Sequence, residues 1–187
     1  MTTFDLTAAR EALLEGVIAY PTEAVFGLGC DPTNEQAIER ILTLKKRPAD
    51  KGLILIAADY SQLLPYVDDQ AIGQDKRFTV FSHWPGPVTL VLPARASVSK
   101  LLTGGRDTIA VRVTDFEPAR ELCRKLGTAL VSTSANPAGE EPARTAEQVR
   151  NYFADQLNWI FDAPTGGATS PTRIIDPLSK KVVRDNE

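Results

Sequence analysis

Residues 44–57 read LKKRPADKGLILIA, a cluster of cations that runs directly into a continuous apolar segment. The apolar half, Leu53–Ala57, predicts a strand, and because it has no polar alternation the strand should be covered on both faces. The four cations among residues 45–51 precede that strand in a loop. Such a cluster is typical either of a site for a polyanion such as a phosphate chain or of an ordinary solvated surface.

Strand and helix patterns alternate on both sides of this stretch, and Gly and Pro residues separate them. Capping-box patterns at Thr33-x-x-Gln36 and Thr145-x-x-Gln148 indicate two of the helix starts. The predicted helices are Asp5–Glu15, one beginning at Thr33, a weak one over Asp68–Phe81, Glu117–Leu126 and Thr145–Gln156. The predicted strands are Val17–Tyr20, Leu53–Ala57, Val88–Leu92, Ile109–Val113, Ala129–Val131, Trp159–Phe161, Arg173–Ile175 and Lys181–Val183.

This alternation predicts an α/β (α+β) fold in which one sheet carries helices on both faces. The spacing between Val88–Leu92 and Ile109–Val113 resembles that of a hairpin and leaves room for antiparallel pairs. We therefore expect a mixed sheet within a single domain that spans residues 1–187.

The composition excludes several classes of protein. Of the 187 residues 43% are apolar and 24% charged, and the net charge of −3 provides no global basic field for nucleic acid or an anionic membrane. The N-terminal residues lack a signal-peptide pattern, and no apolar run approaches the roughly 18 residues needed to span a bilayer. Cys30 and Cys123 are far apart and are expected to be free thiols in the cytoplasm. With one histidine in the chain, a structural zinc site is not expected.

Two further polar segments are candidates for a binding site. Ser132–Pro137 follows the predicted buried strand Ala129–Val131, at the end of a strand where α/β proteins bind ligands. Its hydroxyl and amide groups suit phosphate or carboxylate oxygens, although the same residues commonly form turns. Arg112 lies between apolar residues of a predicted strand, so it needs an anionic partner, either an internal carboxylate or a ligand carboxylate.

The segment Tyr20–Gly29 also follows a predicted strand. Gly27 and Gly29 would allow the backbone to approach a ligand closely or to adopt positive φ. Thr22 and Glu23 are either polar ligand contacts or turn residues. The segment matches neither the dinucleotide-binding nor the Walker pattern.

The chain offers few groups for nucleophilic or metal catalysis. His83 is the only histidine and lies beside a Trp-Pro pair, where a surface or packing role is expected. Zinc-protease motifs and paired metal carboxylates are absent from the sequence. A Ser–Lys pair formed by Ser134 and Lys45 stays open as a nucleophile.

Taken together, these segments resemble the YrdC/Sua5 family of threonylcarbamoyl-AMP synthases. The family signature of Lys-x-Arg followed far downstream by Ser-x-Asn corresponds to Lys45-Lys46-Arg47 and Ser134-Ala135-Asn136. Tyr20–Glu23, Ala110–Val113 and Ser132–Asn136 appear in the family's order. The resemblance extends from about Val17 to Arg184, and the length matches the short form of the family. It implies a YrdC-like open twisted mixed β-sheet with helices on both faces.

The resemblance also implies an activity. L-threonine, bicarbonate or CO₂, and ATP with Mg²⁺ would give threonylcarbamoyl-adenylate, pyrophosphate and water. Other proteins would then use the product for the t6A modification of tRNA. The resemblance further implies a cytoplasmic monomer with no membrane contact and a local basic patch that contacts tRNA or double-stranded RNA.

Site residues are implied by the same motifs. The threonine contacts would be Thr22, Arg112 and Thr172, with Arg112 holding the carboxylate. The ATP and carbamate contacts would be Lys45, Arg47, Lys51, Thr108, Ser132, Ser134, Asn136 and Arg184. Of these, the residues expected to act in the reaction itself are Lys45, Arg47, Ser134 and Asn136.

The sequence departs from the family at several positions. Many long-form members carry a histidine near Ile56 that contacts threonine, so we expect the threonine pocket to differ there. A family serine near Ala143 is missing, although Thr145 is close. Thr172 replaces a common serine and keeps its hydroxyl, and Lys51 stands where asparagine is frequent.

Two alternatives follow from the residues. A double-stranded RNA-binding or ribosome-assembly factor without catalysis would use the cations of residues 45–51 for RNA phosphates. The acidic net charge and the absence of interleaved aromatics argue against it. A Ser–Lys hydrolase would use Ser134 as its nucleophile and would not need ATP.

Overall fold

The computed structural model describes residues 4–184, and its strands form one nine-stranded sheet. The spatial order is β7-β1-β2-β6-β3-β5-β4-β8-β9. The strands are β1 (Ile18–Pro21), β2 (Phe26–Gly29), β3 (Ile54–Ala57), β4 (Val88–Pro93), β5 (Thr108–Val113), β6 (Leu130–Ser134), β7 (Trp159–Ile160), β8 (Arg173–Asp176) and β9 (Lys181–Arg184).

The sheet is mixed, as the sequence predicted. β3 pairs in parallel with β5, whereas β6 pairs antiparallel with both β2 and β3. β4 and β5 are antiparallel, with Leu90 opposite Val111, which confirms the hairpin-like pairing expected for that region. β3 lies near the centre, and three of its four residues are buried, consistent with its continuous apolar sequence.

Six α-helices lie within residues 4–184. They are α1 (Leu6–Glu15), α2 (Glu35–Lys45), α3 (Gln74–Phe81), α4 (Lys100–Thr103), α5 (Glu117–Leu126) and α6 (Ala146–Phe153). The weakly helical region predicted over Asp68–Phe81 divides into a 3₁₀ turn, Asp69–Ala71, and α3. None of the helices in this part of the chain is long and apolar enough to cross a bilayer.

The helices pack on both faces of the sheet. On one face α1 and α5 enclose a smaller core that includes Ala9, Leu122 and Ile56. On the other face α2 and α6 contribute to a larger core, for example through Ile38 and Phe153. Both cysteines are unpaired, as the sequence predicted, and both are buried.

The start of α2 differs from the predicted capping box. Asn34, not Thr33, is the N-cap, because its side-chain oxygen accepts a hydrogen bond from the backbone N–H of Ala37 at 3.0 Å. The Thr33 hydroxyl instead donates to Asp31 in the preceding turn. At its other end α2 stops at Lys46, which adopts a left-handed conformation with φ of 50°.

The cap of α6 is only partly as predicted. Thr145 accepts from the backbone N–H of Gln148 at 3.1 Å, but the Gln148 side chain accepts from the N–H of Arg144 instead of that of Thr145. The α-helix ends at Phe153, and the predicted last turn, residues 154–156, is a 3₁₀ turn.

β2 was not predicted as a strand. Gly27 and Gly29 lie within it and do not adopt positive φ. Gly29 is required for close packing, since a Cβ there would lie 2.7 Å from a ring carbon of Tyr20. Tertiary packing therefore makes a strand of a segment whose glycines indicate a loop.

Candidate active site

A cleft lies on the face of the sheet that carries α1 and α5, over the part of that face that these helices leave uncovered. On β3 the side chain of Ile56 is fully buried in the core formed with α1 and α5, whereas Ile54 lines the cleft. On β6, Leu130 is buried and Ser132 lines the cleft in the same way. Side chains two residues apart share a face of a strand, so the cleft continues the surface that α1 and α5 cover elsewhere.

Two adjoining cavities make up the cleft. The first, of about 190 Å³, lies against β2 and β6, and the second, of about 400 Å³, lies against β5, β8 and β9. Together they fall within the range of roughly 300–1,000 Å³ typical of small-molecule sites. The residues that line both cavities are Arg47, Leu53, Ile54 and Arg184.

Most of the residues implied by the sequence line these cavities. Lys45 and Asn136 line neither cavity, but both contact Ser134, which lines the first. The first cavity is lined by Thr22, Arg47, Arg112, Ser132, Ser134, Thr172 and Arg184. The second is lined by Arg47, Lys51, Thr108 and Arg184.

The buried Lys45 joins the two signature segments. Its ammonium donates to the backbone carbonyls of Ser134 and Asn136 at 2.5 and 2.9 Å and to Asn136 Oδ1 at 3.3 Å. Lys45 lies in the last turn of α2, and Ser134 is 89 residues further along the chain. Burial and, secondarily, the neighbouring Arg47 lower the pKa of Lys45 to about 8.

Ser134 and Asn136 form the turn that Lys45 supports. The Ser134 hydroxyl donates to Asn136 Oδ1 at 2.6 Å, and Asn136 Nδ2 donates to the carbonyls of Pro137 and Glu140. The Lys45 ammonium lies 3.5 Å from Ser134 Oγ and makes shorter contacts with carbonyls. Because the hydroxyl points to an amide oxygen, this geometry does not support the Ser–Lys hydrolase.

Arg112 lies on the wall of the first cavity and is only 5% exposed. Its Nη2 is 3.3 Å from Glu23 Oε2, so the internal ion pair considered from the sequence is present. Its Nε has no hydrogen-bond partner among the described residues. The guanidinium therefore retains unused donor capacity beside the cavity.

The wall opposite the Ser134 turn carries several cations. Arg47 donates through Nε and Nη2 to the carbonyl of Gly52 at 3.3 and 3.1 Å, which fixes its guanidinium between the two cavities. Arg47, Lys51 and Arg184 form no ion pair with a carboxylate within residues 4–184. These charges are therefore available to an anionic ligand.

Comparison with known proteins identifies the fold and the family. A family model for Sua5/YciO/YrdC, described as telomere recombination, matches residues 12–185. The chain belongs to the Sua5/YciO/YrdC family.

Among curated relatives, the threonylcarbamoyl-AMP synthase of Idiomarina loihiensis is 71% identical over 179 residues, covering 96% of both chains. The enzyme of the same name from Serratia proteamaculans is 53% identical, covering 90% of this chain and 88% of the relative.

Solved structures of family members share the fold. E. coli YciO is 27% identical with a TM-score of 0.77, covering 98% of this chain and 91% of that one. P. abyssi Sua5, solved in complex with L-threonine, is 32% identical with a TM-score of 0.82. The match covers 93% of the present chain but only 52% of that Sua5 chain, so the present chain spans about half its length.

Two of the sequence departures from the Sua5/YciO/YrdC pattern, Ile56 and Ala143, line neither cavity, whereas Thr172 lines the first and Lys51 the second. Ile56 is fully buried and lines neither cavity, and the difference expected in the threonine pocket at this position stays a prediction. It lies across the parallel ladder from Arg112 and contributes an apolar neighbour instead. Ala143 is buried, and Thr145 is occupied as the cap of α6 without reaching the cleft.

Sequence reasoning missed Arg106, which lines the second cavity. It donates to the carbonyls of Asp50 and Lys51 at 3.0 and 2.9 Å and so ties the cationic loop to the turn before β5. The sequence signal for this arginine is the preceding pair Gly104-Gly105, which is typical of a tight turn. Both glycines adopt positive φ in the structure.

The cavity walls do not fit a protein-held Mg²⁺. Neither cavity is lined by an aspartate or glutamate among the described residues. The same part of the chain contains no group of three His, Cys, Asp or Glu side chains able to hold a metal ion. Oxygen ligands for Mg²⁺ would have to come mainly from the nucleotide.

Proposed function

We propose that this chain is a threonylcarbamoyl-AMP synthase, which converts L-threonine, bicarbonate or CO₂, and ATP to threonylcarbamoyl-adenylate, pyrophosphate and water. The observation that carries the proposal is the meeting of the Lys45–Arg47 and Ser134–Asn136 segments at one end of a cleft that also contains Arg112. Relatives of up to 71% identity that bear this name support the same conclusion.

Threonine is assigned to the first cavity. The buried guanidinium of Arg112 suits the amino acid's carboxylate, because a charge-assisted hydrogen bond in a partly desolvated site is among the stronger polar contacts. Thr22 and Thr172 flank the same cavity. The Thr22 hydroxyl already donates to the carbonyl of Val25 at 2.7 Å, so it offers a substrate its oxygen lone pairs.

ATP is assigned to the cationic wall and the second cavity, with its phosphates reaching the side of the first cavity that Ser132 and Ser134 line. The triphosphate would lie between Arg47 and the Ser132 and Ser134 hydroxyls, while the apolar floor formed by Leu53 and Ile54 suits a nucleoside. Lys51, Thr108 and Arg184 would contact the remainder of the nucleotide. Mg²⁺ would accompany the phosphates.

The mechanism needs charge neutralisation and positioning more than a protein nucleophile. When bicarbonate is the source, it first loses water to give CO₂. The neutral amine of threonine forms an N–C bond to CO₂ and releases a proton to solvent, which gives a carbamate. A carbamate oxygen then attacks the α-phosphorus of ATP, and the bond to the leaving pyrophosphate breaks. Nucleophile and electrophile are both anionic, and Arg47 and Arg184 line the boundary of the two cavities where they would meet. Holding three substrates together supplies much of the rate.

Lys45 and Asn136 would act on the reaction through the Ser134 turn. Lys45 holds both carbonyls of the turn and Asn136 holds the Ser134 hydroxyl, so together they fix the wall against which the phosphates bind. The ammonium also adds positive charge beneath that wall.

The wider setting belongs to the same proposal. The protein would act as a cytoplasmic monomer of one domain, 1–187, and other proteins would transfer its product to tRNA as t6A. Contact with tRNA or double-stranded RNA would need exposed cations such as Lys46 and Lys51, because Lys45 is buried.

A direct assay tests the proposal. Purified protein is incubated with ATP, bicarbonate and labelled threonine, and the expected product is a labelled adenylate formed together with one pyrophosphate. Omission of bicarbonate, with CO₂ removed, should abolish both products. Release of ADP and phosphate, or labelled threonyl-adenylate without the carbamoyl group, would contradict the assignment.

A further inference from the structure

Glu23 lies directly behind the arginine of the first cavity. It belongs to the turn after β1 and is only 9% exposed. Its Oε2 is 3.3 Å from Arg112 Nη2 and makes no hydrogen bond among the described residues. The side chain of Glu23 lines neither cavity, so it faces the guanidinium and not the ligand.

The carboxylate of Glu23 is held from its other side. The fully buried Thr114 donates its hydroxyl proton to Glu23 Oε1 at 2.7 Å and accepts from the backbone N–H of Phe116 at 3.1 Å. The carbonyl of Glu23 accepts from Ala168 N–H at 2.9 Å. A carboxylate fixed in this way can define the direction of its arginine partner.

The cations that line the cleft therefore differ in whether they have a carboxylate partner. Arg112 carries a carboxylate partner, whereas Arg47, Lys51 and Arg184 form no ion pair within the described range of the chain. A buried guanidinium that is already paired attracts a further anion less strongly than an unpaired one does. The cations without a carboxylate partner in the described part of the chain thus lie on the cationic wall, where the triphosphate is assigned. Two of them, Arg47 and Arg184, also line the first cavity.

We propose that Glu23 is a positioning residue that reserves Arg112 for a monocarboxylate and keeps phosphate groups away from this arginine. The proposal rests on the proposed function and assigns Glu23 a role in separating the amino-acid site from the triphosphate site. Without the Glu23 charge, Arg112 keeps its full attraction for anions and is free to turn towards a phosphate. Phosphate would then occupy the place of threonine.

The test uses Glu23→Gln, which keeps the size of the side chain and its acceptor oxygen for Thr114. At saturating ATP the threonine KM should rise at least about tenfold while kcat changes less than about threefold. Inorganic phosphate should become a competitive inhibitor against threonine, with an inhibition constant at least about tenfold lower than in the wild type. A purely structural defect would not create that competition.

Two Thr114 variants provide an independent test should Glu23→Gln fail to fold. Thr114→Val removes the hydroxyl that holds Glu23 and should raise the threonine KM and phosphate inhibition together, whereas Thr114→Ser should restore both. Glu117→Gln is the matched control, because Glu117 is exposed and pairs with Arg124 on the surface of α5. It should leave both measurements unchanged.

Wild-type behaviour separates the two proposals. If the wild type forms no threonylcarbamoyl-adenylate and binds no threonine by calorimetry, the proposed function fails. If the wild type is active and folded variants at Glu23 and Thr114 show an unchanged threonine KM, or no phosphate competition, the role of Glu23 is overturned.

Discussion

At the scale of single residues, Lys45 links the cluster of cations to the Ser134–Asn136 turn. Its place in the cluster suggests direct contact with a phosphate, which stays a prediction. In the structure its ammonium is buried and donates to backbone carbonyls of that turn. Arg47, two residues later, turns into the cleft because Lys46 ends α2 in a left-handed conformation.

The lowered pKa of Lys45 predicts pH-dependent ATP binding. Below about pH 8 the side chain is charged, and above it the side chain is neutral, so affinity for an anion should fall as pH rises through that value. The terminal phosphate, with a pKa of about 6, is already ionised over this range. Calorimetry without threonine should therefore show a rising ATP Kd between about pH 7 and pH 9.5.

Lys45→Arg provides the control for this pH dependence. An arginine stays protonated over the whole range, so the rise of the ATP Kd near pH 8 should disappear even if the absolute affinity is lower. If the wild-type ATP Kd does not change with pH, or if Lys45→Arg shows the same rise, the charge of Lys45 does not contribute to ATP binding.

At the scale of secondary-structure elements, most strands and helices follow from local patterns, but their ends do not. Thr33 and Asn34 are both good cap residues, and only the hydrogen bond to Ala37 identifies Asn34 as the cap of α2. β2 was missed for a different reason. Its two glycines suit a loop, yet one of them, Gly29, is the residue small enough to lie against Tyr20.

The cap of α2 gives a stability prediction. Asn34→Ala should lower the free energy of unfolding by about 1 kcal/mol, because the N–H of Ala37 loses its acceptor. Thr33→Ala removes only an exposed bond to Asp31 and should cost less than about 0.5 kcal/mol. Urea denaturation of both variants measures the difference. A larger loss of unfolding free energy in Thr33→Ala than in Asn34→Ala would contradict Asn34 as the cap and support the capping box predicted from the sequence.

At the scale of the whole molecule, sheet order creates the site. β6 lies between β2 and β3, which sets Ser132 opposite Ile54 and Ser134 opposite Gly27. The C-terminal end of α2 then reaches the same edge from the opposite face. β2, the region of α2 and β3, and β6 thus meet at one cleft. The hairpin of β8 and β9 forms a side of this cleft and contributes Arg184.

The two cavities predict that charge-conserving variants will separate by substrate. Arg112→Lys keeps the charge beside Glu23 but loses the planar fork, so the threonine KM should rise about tenfold or more with little change in the ATP KM. Arg47→Lys should do the reverse, since Arg47 lies on the cationic wall. Steady-state kinetics with each substrate varied in turn makes the comparison. Equal effects on both KM values would contradict separate sites.

The residue order was enough for the mixed sheet and the helices on both faces, because hydrophobic periodicity carries that information. Most of the residues that line the cleft were implied by the family resemblance and not by periodicity. The folded molecule was required for the strand order, the contact of the buried Lys45 with the Ser134–Asn136 turn, the burial of Ile56 and the pairing of Arg112 with Glu23. Each depends on contacts between segments far apart in the chain, and local sequence patterns do not report such contacts.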